Sequence, residues 1–218
     1  MKLYELGYVV RVFGLFYGTA RHLESFEPAS ILDHLKWLND WGCRHIAKDD
    51  HPAWAQELER CLRDWDSRLP SRSQDIRSLT ETQIAEVGQV FMQASSLSVR
   101  SADNRTIHFG ATAASKTLHA LRPNSLPMWD EAFRQSLELR DTAAGYAGLI
   151  ARVRSEIDSL CIDASRFDIR DSQIPEKVER KGATLVKLTD EYYWITLTKK
   201  HAPPSPEQLS QWSKWAQT

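Results

Sequence analysis

The chain has 218 residues, 42% hydrophobic and 26% charged, and a net charge of -1. Those proportions suit a globular protein with a sizeable core and exclude a uniformly basic nucleic-acid coat protein, though a local basic face is compatible with them. Cys43, Cys61 and Cys161 lie far apart with no CxxC pair, which indicates neither a zinc site nor a disulfide framework and fits a reducing cytoplasm.

The first twenty residues, MKLYELGYVVRVFGLFYGTA, are rich in β-branched and aromatic side chains. They read equally as a strand pair or a buried helix. Glu5 and Arg11 interrupt any signal-peptide core, and no apolar run is long enough to span a bilayer, so a cytoplasmic protein without membrane contact is expected. In SILDHLKWLNDWG, Ile31, Leu35 and Leu38 share a helical face and Gly42 is placed to end the helix. Trp54, Leu58, Cys61, Trp65 and Leu69 repeat at helical spacing until Pro70. SRSQDIRS is a polar linker, after which Thr80 and Gln83 form a capping-box pattern ahead of Ile84, Val87 and Phe91.

SADNRT reads as a turn, Ala111 to Leu121 as a short helix closed by Pro123, and Asp130 to about Leu139 as another. Asp141 is placed to cap a longer helix with Tyr146, Leu149, Val153, Ile157 and Leu160 inward. Farther on, ATLVKL and YYWITLT flank Thr189-Asp190-Glu191 and read as a β-hairpin. Ser205, Pro206 and Gln208 then open a last helix. The expectation is a mostly α single domain over 1–218: an N-terminal helical part to 100, a central region 101–165, and a C-terminal hairpin and helix from 166.

Chemistry concentrates between Gly110 and Arg134. On the predicted helix, Ala114, Leu118 and Leu121 share a face; Lys116 falls nearly opposite, beside Thr112 and His119, on a side expected to be wet. Asp130 is placed as an N-cap, where a carboxylate accepts backbone N–H bonds. The pattern G-x5-K-T-x9-P-x-W-D-x3-R, carried by Gly110, Lys116, Thr117, Pro127, Trp129, Asp130 and Arg134, resembles the helix-hairpin-helix DNA glycosylase superfamily. The Leu-Pro-Gly-x-Gly hairpin motif of such proteins is replaced here by FGATAAS, the lysine-to-aspartate interval is 14 residues, and no iron–sulfur cysteines occur.

The resemblance implies a helical DNA-glycosylase-like bundle that acts on double-stranded DNA; a monomer is expected and, with the iron–sulfur cysteines missing, no metal or other cofactor. It implies that a flipped-out base is excised to leave an abasic site. Asp130 would stabilise the charge developing on the sugar or orient a water. Lys116 would attack C1′ only if its amine were activated, so its expected wet position favours a monofunctional enzyme. Trp129 and His119 are candidates for the base pocket. Arg100, Arg105, His108, Gly110, Thr112, Arg122 and Arg134 are candidates for DNA binding, with a local excess of three positive charges from Arg100 to Arg122 and a helix start at Gly110–Thr112 suited to phosphate. Repair and defence against phage DNA carrying modified bases are both open. Two other readings stand beside this one: a metal-dependent nuclease with Asp168 or Asp171 ahead of Glu179-Arg180-Lys181, and a non-catalytic helical binding module. A cleft that joins Asp130 to Trp129 and basic residues would favour the enzyme.

Overall fold

The computed structural model of the chain describes residues 1–14, 22–101, 103–201 and 204–217. Within them the protein is mostly helical, with one small antiparallel sheet. The ambiguous N-terminus is helix α1 (Leu3–Val12), which buries Leu3, Leu6, Val9 and Val10. Residues 15–20 of that stretch lie outside the described residues. Helix α2 (Pro28–Asp40) presents Ile31, Leu35 and Leu38 to the core, as its spacing dictates, and adds His34 to them. It ends where Gly42 adopts φ 94°, and the Cys43 amide returns to the Leu38 carbonyl at 2.9 Å, a left-handed stop that glycine enters without penalty.

Helix α3 (His51–Arg68) buries Trp54, Leu58 and Trp65. Helix α4 (Glu81–Ser96) opens on the expected box, with Thr80 Oγ1 accepting from the Gln83 amide at 3.2 Å and Gln83 Oε1 from the Thr80 amide at 3.0 Å. Strands β1 (Ser98–Arg100) and β2 (Thr106–His108) follow, pairing antiparallel with Val99 opposite Ile107. The predicted SADNRT turn falls between these strands: the chain turns at Asn104 with φ 65°, Thr106 already belongs to β2, and Ala102 lies outside the described residues.

Helix α5 (Gly110–Leu121) runs through the interior. It is buried from Ala113 to Leu121 without interruption, because α4 lies along it while the end of α2, the 122–130 segment and α9 close round the rest. A helix enclosed on every side has no wet face, so the expected exposure of Lys116 fails. Helix α6 (Glu131–Ser136) is short, and α7 (Ala143–Ser165) is long and packs on α4. The α7 cap is Thr142, whose Oγ1 accepts from the Gly145 amide at 3.0 Å, one residue later than the expected Asp141.

The C-terminal region corrects the predicted hairpin. After the single turn α8 (Ile174–Lys177), ATLVKL enters helix α9 (Leu185–Tyr193), which runs on as a π-helical turn through Trp194–Thr198. Thr184 caps it by accepting from the Lys187 amide at 3.0 Å. Val186, Thr189 and Tyr193 are buried at helical spacing, and that burial outweighs the β preference of Val, Thr and Tyr. Helix α10 (Pro206–Gln217) opens on the predicted Ser205–Gln208 box and packs against α1, where Trp215 fills the space a Cβ at Gly7 would need. One continuous apolar cluster joins residues from α1 through α9. No helix among the described residues is long and apolar enough to cross a membrane.

Candidate active site

Asp130 is held by what precedes it. Between α5 and α6 the chain crosses the interior with its carbonyls individually tied: Pro123 O accepts from Thr184 Oγ1 (2.9 Å), Asn124 O from the Ile76 amide (3.1 Å), Leu126 O from His119 Nδ1 (2.7 Å) and Pro127 O from the Tyr146 hydroxyl (2.8 Å). The Trp129 amide donates to Ser115 Oγ at 2.9 Å, fastening the segment to α5. A loop so bonded has little freedom, and its last residue inherits that rigidity.

Asp130 then caps α6, as expected: its Oδ1 accepts from the Ala132 amide at 2.9 Å and also from Thr198 Oγ1 at 3.1 Å. Oδ2 has no hydrogen-bond partner among the described residues. The carboxylate lines a cavity of about 450 Å³ together with Lys116, Met128, Trp129, Asp40, Trp41 and Gly42, and with Lys187, Asp190, Glu191 and Trp194 from the last part of the chain. The cap and the cavity coexist at one residue.

Lys116 reaches this cavity from α5. It is 8% exposed, and its Nζ donates to the Trp41 carbonyl at the end of α2. Lys187 is 2% exposed, pairs with Asp190 at 2.8 Å, and sits 4.9 Å from the centre of the Trp41 ring, with Lys116 Nζ at 6.0 Å from the same ring. Trp41 is therefore a half-exposed aromatic wall flanked by two ammonium groups, a cation–π arrangement. Trp194, also half-exposed, is the second such wall, and Lys199 lies 4.5 Å from its ring on the outside.

Trp129 has a divided role. Its indole packs with Phe91 (5.5 Å between centroids) and Tyr146 (5.7 Å) in the core, yet it also borders the cavity, and its Nε1 is buried with no partner among the described residues. A second cavity of about 380 Å³ abuts the first through Gly42 and Trp129. It contains the start of α5, Gly110, Ala111 and Thr112, and also Arg134, Glu131 and Asp141. Gly110 adopts φ 76°, a turn from β2 into the helix that glycine supplies. Three predicted DNA-binding residues, Gly110, Thr112 and Arg134, thus meet beside the Asp130 cavity, although Arg134 also pairs with Asp141 at 3.2 Å.

Other predicted residues do not reach it. His119 is fully buried and donates through Nδ1 to Leu126 O, so it braces the loop and does not contact a base. Burial lowers its pKa to about 4, opposed by that backbone bond, which keeps the ring neutral at ordinary pH. Arg122 is 3% exposed; its guanidinium binds the Pro70, Asp66 and Leu121 carbonyls and pairs with the Asp66 carboxylate at 2.7 Å, so it is held inside the fold and not presented to phosphate. Arg100, Arg105 and His108 are exposed on the β1–β2 hairpin immediately before α5, outside both cavities. Arg105 pairs there with Asp103 at 2.6 Å.

The nuclease reading loses its frame. The strand it needs is the start of α9. Glu179 pairs with Arg11 at 2.6 Å and Asp171 with Arg77 at 2.7 Å, and no group of three or more His, Cys, Asp or Glu poised for a metal occurs among the described residues. Sequence reasoning missed Trp41, Lys187, Glu191 and Trp194. The signal for the last three was present in the helical repeat 187–191–194, which lines one helix side, but was obscured by reading that segment as strands. No family model matches the chain, and neither a curated protein nor a solved structure matches it.

Proposed function

We propose that the protein is a DNA glycosylase, centred on Asp130, that takes a damaged or modified base out of the duplex and leaves an abasic site. One observation carries the reading. Lys116 and Asp130, the two residues on which the sequence pattern turns, come from different elements and line one cavity with Trp41, Trp129 and Trp194. Its size is that of a small-molecule pocket, and its aromatic walls suit the π-face of an extruded base.

In this reading Asp130 faces the sugar. Departure of the base leaves an oxocarbenium-like centre, and a carboxylate anchored through Oδ1 presents Oδ2 to that charge or to the attacking water. The neighbouring cavity, with the α5 N-terminus and Arg134, takes a backbone phosphate. The exposed arginines of the hairpin, Arg100 and Arg105, extend the contact along the duplex. The mostly helical surroundings agree with the superfamily resemblance. Capping alone would have favoured a binding module; a cap that also borders a cavity with two lysines favours the enzyme.

The test uses duplexes carrying uracil, hypoxanthine, 8-oxoguanine, 5-hydroxymethylcytosine or a methylated purine, with alkali to reveal abasic sites. Alkali-dependent cleavage by wild type that disappears in Asp130→Asn supports the proposal. Although Lys116 is buried, its Nζ is tied to the Trp41 carbonyl and is not free to attack C1′, so the expected product is an intact strand with an abasic site. Nicking without alkali that is lost in Lys116→Ala would assign the lysine a lyase role. The panel also separates a repair enzyme, active on uracil, hypoxanthine or 8-oxoguanine, from one directed at enzymatically modified viral bases such as 5-hydroxymethylcytosine.

A further inference from the structure

Besides Asp130 the cavity is lined by three carboxylates that the catalytic scheme above leaves unused, Asp40, Asp190 and Glu191, of which Glu191 is the most enclosed. Glu191 lies one helical turn after Lys187 on α9, is 4% exposed, and lines the same cavity as Asp130. Its Oε2 accepts from Arg180 Nε at 3.2 Å. Arg180 is itself fixed, because its Nη2 donates to the carbonyls of Val10 (2.8 Å) and Gly14 (2.7 Å) at the end of α1. Glu191 Oε1 has no hydrogen-bond partner among the described residues. A buried acidic side chain is costly unless it is paired or protonated; this one is held by Arg180 through one oxygen while the residue lines the cavity.

We propose that Glu191 is the general acid that protonates the departing base, an assignment that rests on the glycosylase reading of the cavity. As the C1′–N bond breaks, its electron pair passes to the base, and the Glu191 carboxyl proton moves to a base nitrogen. The oxygen of a water molecule bonds to C1′, and Asp130 accepts the proton that water releases. The products are the free base and a 1′-hydroxyl sugar; Glu191 regains a proton from solvent as Asp130 gives one up. Two carboxyl groups flanking a glycosidic bond divide such work when their surroundings differ. Here one is a cap at the rim and the other is enclosed.

The charges around Glu191 are consistent with this task. Burial raises its pKa above the ordinary glutamate value; Lys187 and Arg180 oppose that shift and Asp190 adds to it. Lys116 on α5, Asp130 and Asp40 border the same cavity. From α1 and α7, Glu5, Arg152 and Glu156 act on the neighbouring Tyr192 and Tyr193. A raised carboxyl keeps more of its acid form near neutrality, which is what a proton donor requires.

The test is single-turnover excision of whichever neutral base of the panel wild type removes fastest, followed across pH for wild type, Glu191→Gln and Asp130→Asn. Wild type is expected to slow as pH rises through the Glu191 pKa. Glu191→Gln is expected to be about 100-fold slower with that alkaline limb gone. A variant that keeps the limb, or a wild type that lacks one, overturns the assignment while the Asp130 reading stands. If wild type excises only methylated purines that already carry positive charge, Glu191 has no proton to supply and the assignment falls. Full activity in Asp130→Asn, or no excision of any base on the panel, removes the underlying reading and this one together. Should Glu191→Gln fail to fold, Arg180→Gln decides: it removes a cation that lowers the Glu191 pKa, so the limb must move to higher pH, and a limb that stays in place overturns the assignment.

Discussion

Thr198 and Asp130, 68 residues apart, share a hydrogen bond of 3.1 Å in which the hydroxyl donates to Oδ1. The bond ties the end of the α9 extension to the cap of α6, so the two parts of the chain that line the cavity are fastened at the carboxylate itself. It also gives the π-helical turn at Trp194–Thr198 a purpose, since that turn carries Thr198 to Asp130. Thr198→Val keeps the shape and deletes the donor. Excision is expected to slow about tenfold, the equivalent of one hydrogen bond to a charged group at about 1.5 kcal/mol, with DNA affinity unchanged. Single-turnover rates and a binding isotherm check this; a lower melting temperature with an unaltered rate would make the bond structural only.

Trp41 is expected to be the stacking wall. Its ring has Lys187 and Lys116 close by, 4.9 and 6.0 Å from its centre to each Nζ. Trp41→Ala removes the surface and should weaken binding of a duplex with an extruded or abasic nucleotide by about 1–3 kcal/mol, whereas Trp41→Phe should retain most of it. Fluorescence anisotropy with matched and lesion-bearing duplexes distinguishes the two. Equal loss on unmodified duplex would mean that Trp41 contributes no base contact.

Two groups of arginines should separate cleanly. Arg122 is locked between Asp66, Pro70 and Leu121, and leaving the buried carbonyls it serves without a donor costs about 1–3 kcal/mol each, so Arg122→Ala should lower the denaturation midpoint. Arg100 and Arg105 are exposed on the hairpin. Their alanine variants should fold normally, bind DNA more weakly and each reduce the salt dependence of binding by about one counterion. A stable Arg122→Ala protein with weakened DNA binding would reverse this assignment.

His119 makes stability depend on pH. Its folded pKa of about 4 lies below the ordinary 6.5, so between those values the unfolded chain binds a proton that the native one does not. The stabilisation is complete above the unfolded value and is lost as pH falls toward the folded one, by about 3 kcal/mol in total. Denaturant titrations should show that slope in wild type and a flatter one in His119→Gln. No difference in slope would place the burden on other groups.

The helices were legible where one side of the helix meets the core and the other meets water: Ile31, Leu35 and Leu38, or the Thr80–Gln83 box, say as much in sequence as in structure. Asp130 was legible as a cap for the same reason, because capping is local chemistry. Lys116 was misplaced because a helical wheel assumes one buried side, and α5 is covered on all of them. His119 and Arg122 followed the same error: on an enclosed helix, polar residues become braces for loops. The C-terminal segment was misread because ATLVKL and YYWITLT carry β-favouring side chains, while what decides their state is packing against α1 and α7, which is set by distant residues. The real hairpin was invisible because three-residue strands are too short to show alternation. Missing α9 and its extension hid the part of the cavity wall formed by Lys187, Asp190, Glu191 and Trp194.

The most direct measurement is the rate of abasic-site formation in duplexes bearing the candidate bases, compared between wild type and Asp130→Asn, with thermal melting to show that the variant keeps its fold. Asparagine preserves the cap and removes the charge. The expected result is excision of at least one base by wild type and a loss of at least about 100-fold in the variant, the scale for a group that acts directly at the reacting centre. Equal rates for the two proteins, or no abasic sites from wild type on any base, would contradict the account.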